Sequence, residues 1–201
     1  MAAAPEGAPV EREVFTVGHS THPLGELVAL LRRHQVAALA DVRRHPGSRR
    51  LPHFNREALE RELPAAGIEY HHLPQLGGRR RPRRDSPNRG WDVGGFRGYA
   101  DHMDSAEFAD GLAQLEALAG RRRTALMCAE GLWWRCHRRL AADALTARSW
   151  RVRHIAPDGR LAEHRLPDFA VVEGGRVSYP PAQGELPERA GARRRSRSPR
   201  G

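Results

Sequence analysis

Short apolar runs alternate with stretches of helical periodicity along most of this chain, and that alternation limits the folds open to it. Residues 14–18 (VFTVG) are apolar and end in Gly, the pattern of a buried strand. Residues 24–34 then place apolar side chains at 24, 27, 28, 30 and 31, a helical spacing. Further strand-like runs follow at 36–42, 68–73, 124–128 and 151–155. Between them lie helix-like stretches at 55–63, with Asn55 as N-cap, 96–103, 106–118, capped by Ser105, and 134–147. Such alternation predicts an α/β fold, a single three-layer domain with a mostly parallel, Rossmann-like sheet and helices on both faces. Beyond residue 161 the pattern changes: DFAVV and RVSY flank Glu173-Gly174-Gly175, which predicts a C-terminal β-hairpin. The expected organisation is a disordered segment at 1–12, the α/β domain over 13–180, and a disordered basic tail over 181–201.

Composition narrows the class. Hydrophobic residues make up 39% of the chain, enough for a core, but no apolar run approaches the roughly 20 residues of a membrane span. The N-terminal MAAAPEGAPVERE has neither a basic nor an apolar signal region, and two cysteines imply no disulfide framework. These features predict a cytoplasmic protein without membrane association. The net charge of +10 resides in two places. Residues 79–89 carry six Arg and one Asp, and residues 190–201 carry five Arg and no acid, so the remainder is near neutral. All basic residues are Arg, a bias that GC-rich codon usage also produces. Both segments are candidates for weak, salt-sensitive nucleic-acid contact.

In open parallel sheets, ligands bind beyond the carboxyl ends of the strands. Those ends fall at 18–21, 41–43, 73–78, 128–130 and His154. Segment 128–138 (CAEGLWWRCHR) is the richest of them. A thiol at Cys128 facing a helix N-terminus would have its thiolate stabilised, and the same N–H groups, with Arg135 and Arg138, would hold an anion. Cys128 is equally read as a small buried hydrophobe. Six residues separate Cys128 from Arg135, one more than a thiol-phosphatase loop requires, and Glu130 is expected to raise the thiol pKa. Cys128, Cys136 and His137, with His19 as a fourth ligand, suggest a metal. Adjacent residues of a continuous helix point about 100° apart, however, so no metal or cofactor site is expected. A Cys128–Cys136 redox pair is disfavoured in a reducing compartment.

Elsewhere, Ser20 donates to an anion or caps a helix, and His19 is a candidate for proton transfer near neutral pH. Asp41 and Arg43 share one side of their strand and either pair or hold a ligand. Ser48 and Arg49 occupy a turn, Pro46-Gly47-Ser48-Arg49, suited to a phosphate or carboxylate. Residues 94–99 (GGFRGY) combine aromatics with Arg, a pattern for base stacking or, more simply, for core packing. The leading expectation is a pocket for an unidentified small anionic ligand, such as the phosphate of a nucleotide or nucleic acid. Arg43 and Arg138 would hold it, Ser20 and Ser48 would donate hydrogen bonds, and Asp41, Arg49, Arg135 and His137 would complete the lining. Glu130 or His19 would move a proton if there is chemistry. Two alternatives stand beside it: a thiol-dependent enzyme using Cys128, and a non-catalytic nucleic-acid-associated module using 79–89 and the tail.

Six segments in order, TVGHS at 16–20, DVR at 41–43, PGSR at 46–49, LGG at 76–78, FRGYADHM at 96–103 and MCAE…CHRRLAAD at 127–143, resemble the bacterial and archaeal family catalogued as domain of unknown function 488. The resemblance covers about residues 14–156. It implies a compact α/β domain with a parallel sheet and supplies no activity. The family commonly carries Pro between CAE and CHR, where this chain has Gly131-Leu132-Trp133-Trp134.

Overall fold

The computed structural model describes residues 12–182. Its elements run β1 (Glu13–Gly18), α1 (Leu24–Arg33), β2 (Ala38–Asp41), α2 (Arg56–Ala65), β3 (Glu69–His72), α3 (Gly94–His102), α4 (Ala106–Ala119), β4 (Thr124–Cys128), α5 (Arg138–Ala147), β5 (Arg151–Ile155), β6 (Leu161–Glu163), β7 (Val171–Glu173) and β8 (Arg176–Ser178). Six strands form one sheet in the order β3-β2-β4-β1-β5-β6, parallel except for β6. The fold is the expected mostly parallel α/β sheet with a C-terminal hairpin, β7–β8. Of the segments expected at 1–12 and 181–201, all but residues 12, 181 and 182 lie outside the described residues.

Strands β1, β2 and β4 are buried along their whole length, which is why they appear as continuous apolar runs rather than alternating ones. Their side chains divide between two cores. Phe15, Val17, Leu39, Ala125 and Met127 pack with Leu27 and Leu31 of α1 and Leu59 and Leu63 of α2. Val14, Ala38, Ala40, Leu126 and Cys128 pack with α3, α4 and α5 on the opposite face.

The chain leaves β1 through α1 to reach β2, and leaves β4 through α5 to reach β5. These connections lie on opposite faces, and β1 and β4 are neighbours, with Gly18 opposite Cys128. The carboxyl ends of β1 and β4 are therefore the topological switch point of the sheet, the place where such folds open a crevice.

Three local expectations change. Residues 134–147 are not one helix: a 3-10 turn at Trp133–Arg135 precedes α5, and Cys136 between them is extended (φ −118°, ψ 148°). The physical reason is Trp133, which lies flat on His154 (centroids 3.9 Å apart, planes at 5°) and draws the segment against β5. Asn55 occupies the N-cap position of α2, but its Oδ1 accepts from the Ser48 N–H at 2.6 Å instead of from the helix. β6 adds an antiparallel edge strand that three residues of weak pattern did not announce. Ser105 caps α4 as expected, accepting from the Phe108 N–H. The hairpin turns on Gly174 and Gly175, both at positive φ.

Candidate functional site

The β1 and β4 ends continue their pairing beyond the strands. The His19 N–H donates to the Cys128 carbonyl (3.0 Å) and the Ser20 N–H to the Ala129 carbonyl (2.9 Å). This seam requires glycine at 18, because a Cβ there would sit 1.9 Å from the Glu130 carbonyl oxygen. Ser20 itself adopts φ 49° as the chain turns away.

The residues expected to form one site separate into two clusters, one on each face of the sheet. On the α1/α2 side, the Arg43 guanidinium grips Asp41 (Nε to Oδ1 2.9 Å, Nη2 to Oδ2 2.6 Å) and donates to the Phe54 carbonyl. Its Nη1 donates to His19 Nε2 at 3.2 Å, and the Tyr70 hydroxyl donates to Asp41. Four of the five guanidinium N–H groups of Arg43 are thus engaged within the protein, so its first task is holding Asp41. His19 stacks on Phe54 and donates from Nδ1 to the Ser20 carbonyl. Burial, then the Arg43 charge, lower its pKa to about 4. The expectation that His19 titrates near neutrality is therefore corrected: it is a neutral imidazole with both nitrogens occupied.

On the α3–α5 side, Cys128, Cys136 and His137 meet. His137 Nδ1 lies 3.9 Å from Cys128 Sγ and 3.6 Å from Cys136 Sγ, and the three atoms fall within 4.8 Å of one another. The geometric objection to this meeting fails because Cys136 and His137 precede α5 rather than belonging to it. The thiols differ in acidity. Cys136 and burial push Cys128 up to about 12. The Cys128 thiol, donating to it, and the charge and N–H of Arg138 lower Cys136 to about 6. Glu130 plays no part in this: it is exposed, and its carboxylate accepts from the Leu132 N–H.

Arg138 is 1% exposed, and no carboxylate pairs with it among the described residues. Its Nη2 donates to the Glu130 and Gly131 carbonyls, holding the loop after β4, while Nε has no partner. Arg135 is exposed on the same loop. Ser48 and Arg49 stay with the 46–55 turn before α2, where Ser48 Oγ accepts from the Leu51 N–H, and Arg49 is exposed. They do not join the thiol cluster, whose sulfurs belong to the opposite core.

Sequence reasoning missed a buried polar chain behind this site. Asp143 accepts from His164 Nε2 (2.8 Å) and from the Tyr179 hydroxyl (2.6 Å). A carboxylate only accepts, so the proton of a neutral His164 sits on Nε2, and Nδ1 then accepts from His154 Nε2 (2.9 Å). His154 Nδ1 in turn accepts from the Thr16 hydroxyl (2.7 Å). The available signal was an Asp in the middle of the otherwise apolar LAADAL of α5.

The Arg-rich loop is fixed in place. Asp101 of α3 accepts from the Arg83 N–H, the Ser86 hydroxyl and the Asn88 amide, and Arg80 pairs with Glu107. Arg79, Arg81, Arg83, Arg84 and Arg89 remain exposed on it. Within 94–99, Tyr99 is core: it is buried, and its hydroxyl donates to the Leu76 carbonyl.

These features define a parallel α/β domain with a thiol–imidazole cluster and a buried arginine at its switch point. The chain belongs to the family described as Domain of unknown function DUF488, whose family model matches residues 23–145. No curated protein and no solved structure matches it.

Proposed function

We propose that the domain binds an anionic, phosphate-bearing ligand, a nucleotide or a nucleic-acid phosphate, at the carboxyl ends of β1 and β4. One observation carries this reading: Arg138 is a buried guanidinium with no carboxylate partner among the described residues, set beside the Cys136 thiol and directly beneath the loop that crosses the switch point. A buried charge of this kind is costly unless an anion answers it. Helix α1 also begins near this edge without a side-chain cap, and its first N–H groups, those of Leu24 and Gly25, are available to an anion. Arg135 and Ser20 supply outer contacts, and Arg43 supports the seam through Asp41 and His19. The second expectation, a Cys128 nucleophile, gains no support from this surrounding, since the contact with Cys136 and burial push that thiol up.

Calorimetric titration of the full chain with inorganic phosphate, nucleoside monophosphates and a short single-stranded oligonucleotide tests the reading. The expected result is binding by at least one probe, weakened about tenfold or more in Arg135→Ala and in a folded Arg138→Gln, the loss of one charge-assisted contact. If none binds, or both variants bind like the parent, the reading is wrong.

A second reading rests on a separate observation, the five exposed arginines on a loop anchored by Asp101. It makes this loop a docking surface for nucleic acid, with affinity that falls steeply with salt.

A further inference from the structure

We propose that Cys128, Cys136 and His137 form a binding site for a zinc-class metal ion. The inference is independent of the anion pocket and rests on three soft or borderline donors that already face one another. A tetrahedral ion with metal–sulfur bonds of about 2.3 Å and metal–nitrogen bonds of about 2.0 Å sets its ligand atoms roughly 3.5–3.8 Å apart. The observed separations from His137 Nδ1 are 3.9 Å to Cys128 Sγ and 3.6 Å to Cys136 Sγ. Two edges of the triangle therefore already match those of a coordination tetrahedron before any ion enters, and all three atoms lie within 4.8 Å of one another.

The backbone explains why they converge. Cys128 ends a central strand, while Cys136 is extended and His137 turns into the helical region just ahead of α5. The imidazole is fixed from outside. It packs against Tyr99 at 5.1 Å between centroids, and any Cβ at Gly78 would come within 2.6 Å of Nδ1. His137 Nε2 is buried without a partner, so the only polar company of the ring lies on the Nδ1 side, at the sulfurs.

Donor chemistry selects the ion. Two sulfurs and one imidazole, with no carboxylate in the group, suit zinc, copper(I) or cadmium and not magnesium or calcium. Binding exchanges the thiol protons for the metal, and two thiolates neutralise a divalent ion in a site that is otherwise buried. No fourth His, Cys, Asp or Glu joins the three among the described residues. Three protein ligands with one open position is the arrangement that catalytic zinc sites use to hold water or substrate.

The test uses the full-length chain, reduced and stripped of metal, titrated with cobalt(II) and then with zinc(II). The expected result is one cobalt per chain with a thiolate-to-cobalt charge-transfer band that zinc abolishes. Cys128→Ser and Cys136→Ser should each remove about half of that band and weaken zinc by at least about 100-fold, more than the loss of an outer-shell partner costs. His137→Gln should keep the band and weaken zinc. Absence of the band in the folded parent overturns the proposal, as does a zinc affinity indifferent to the cysteine substitutions. Should those variants fail to fold, alkylation of the parent decides: zinc should shield both cysteines from iodoacetamide, and unshielded thiols refute the site. Phosphate binding without zinc binding, or the reverse, separates this inference from the anion pocket.

Discussion

Replacing His154 with Gln should flatten the acid limb of the stability curve. His154 is fully buried, and burial, followed by the neighbouring His164 and the charges of Arg138 and Arg139, lowers its pKa from 6.5 to about 3. Protonation would also turn Nδ1 from an acceptor into a donor against the Thr16 hydroxyl. Because the folded pKa lies below the unfolded one, the unfolded chain binds the extra proton first. Stability is complete above about pH 6.5 and drains away as the pH falls toward 3. Each such proton costs about 1.4 kcal/mol per pH unit, and the full shift corresponds to about 5 kcal/mol at its upper limit. His19 and His102, also lowered chiefly by burial, act in the same sense and stay in place. Lowered carboxylates such as Glu107 and Glu163 lose their contribution only below about pH 4.5. Urea unfolding at intervals between pH 6 and pH 4.5 isolates the histidine window. The parent should lose about 1.4 kcal/mol more per pH unit than His154→Gln, whatever the variant's absolute stability. Equal slopes would refute the assignment of a neutral, buried His154.

Three further outcomes follow from the geometry. Asp143→Asn should destabilise by about 3–5 kcal/mol in chemical unfolding, since it removes the single charge that orients His164 and Tyr179; a loss below about 1 kcal/mol would contradict the polar chain. Gly18→Ala should cost at least about 1–3 kcal/mol by forcing the Glu130 carbonyl away, and hydrogen exchange should quicken at His19 and Ser20, whose N–H groups form the seam; unchanged protection there would count against it. Asp101→Ala should release the Arg-rich loop, read as new protease cleavage within 79–89, with α4 unaffected; an equally resistant loop would show that Asp101 is not its anchor.

The strands and their mostly parallel arrangement were legible because a sheet covered on both faces leaves a clear signal, buried runs such as TALMC spaced by helices. The location of the candidate site was read from the same pattern, since strand ends collect the chemically capable residues. The division of that site was not legible. Alternation along β2 puts Asp41 and Arg43 on one face, but which face they share with His19, and that Cys128 looks the other way, depends on strand pairing that one sequence does not reveal. The start of α5 was misplaced for a related reason. Its helical pattern extends plausibly back to Trp134, and only the stacking of Trp133 on His154, distant in sequence, ends it early. That single contact frees Cys136 and His137 to meet Cys128, and with them the acidity of the thiols.

The account rests on an anion at the junction of β1 and β4, and diffraction can see one directly. Crystals of the full chain soaked in tungstate, a heavy tetrahedral stand-in for phosphate, should show an anomalous peak above the seam, within hydrogen-bond reach of the Ser20 turn and the 129–135 loop that Arg138 holds. A peak confined to the exposed arginines of 79–89, with nothing at the seam, would contradict it.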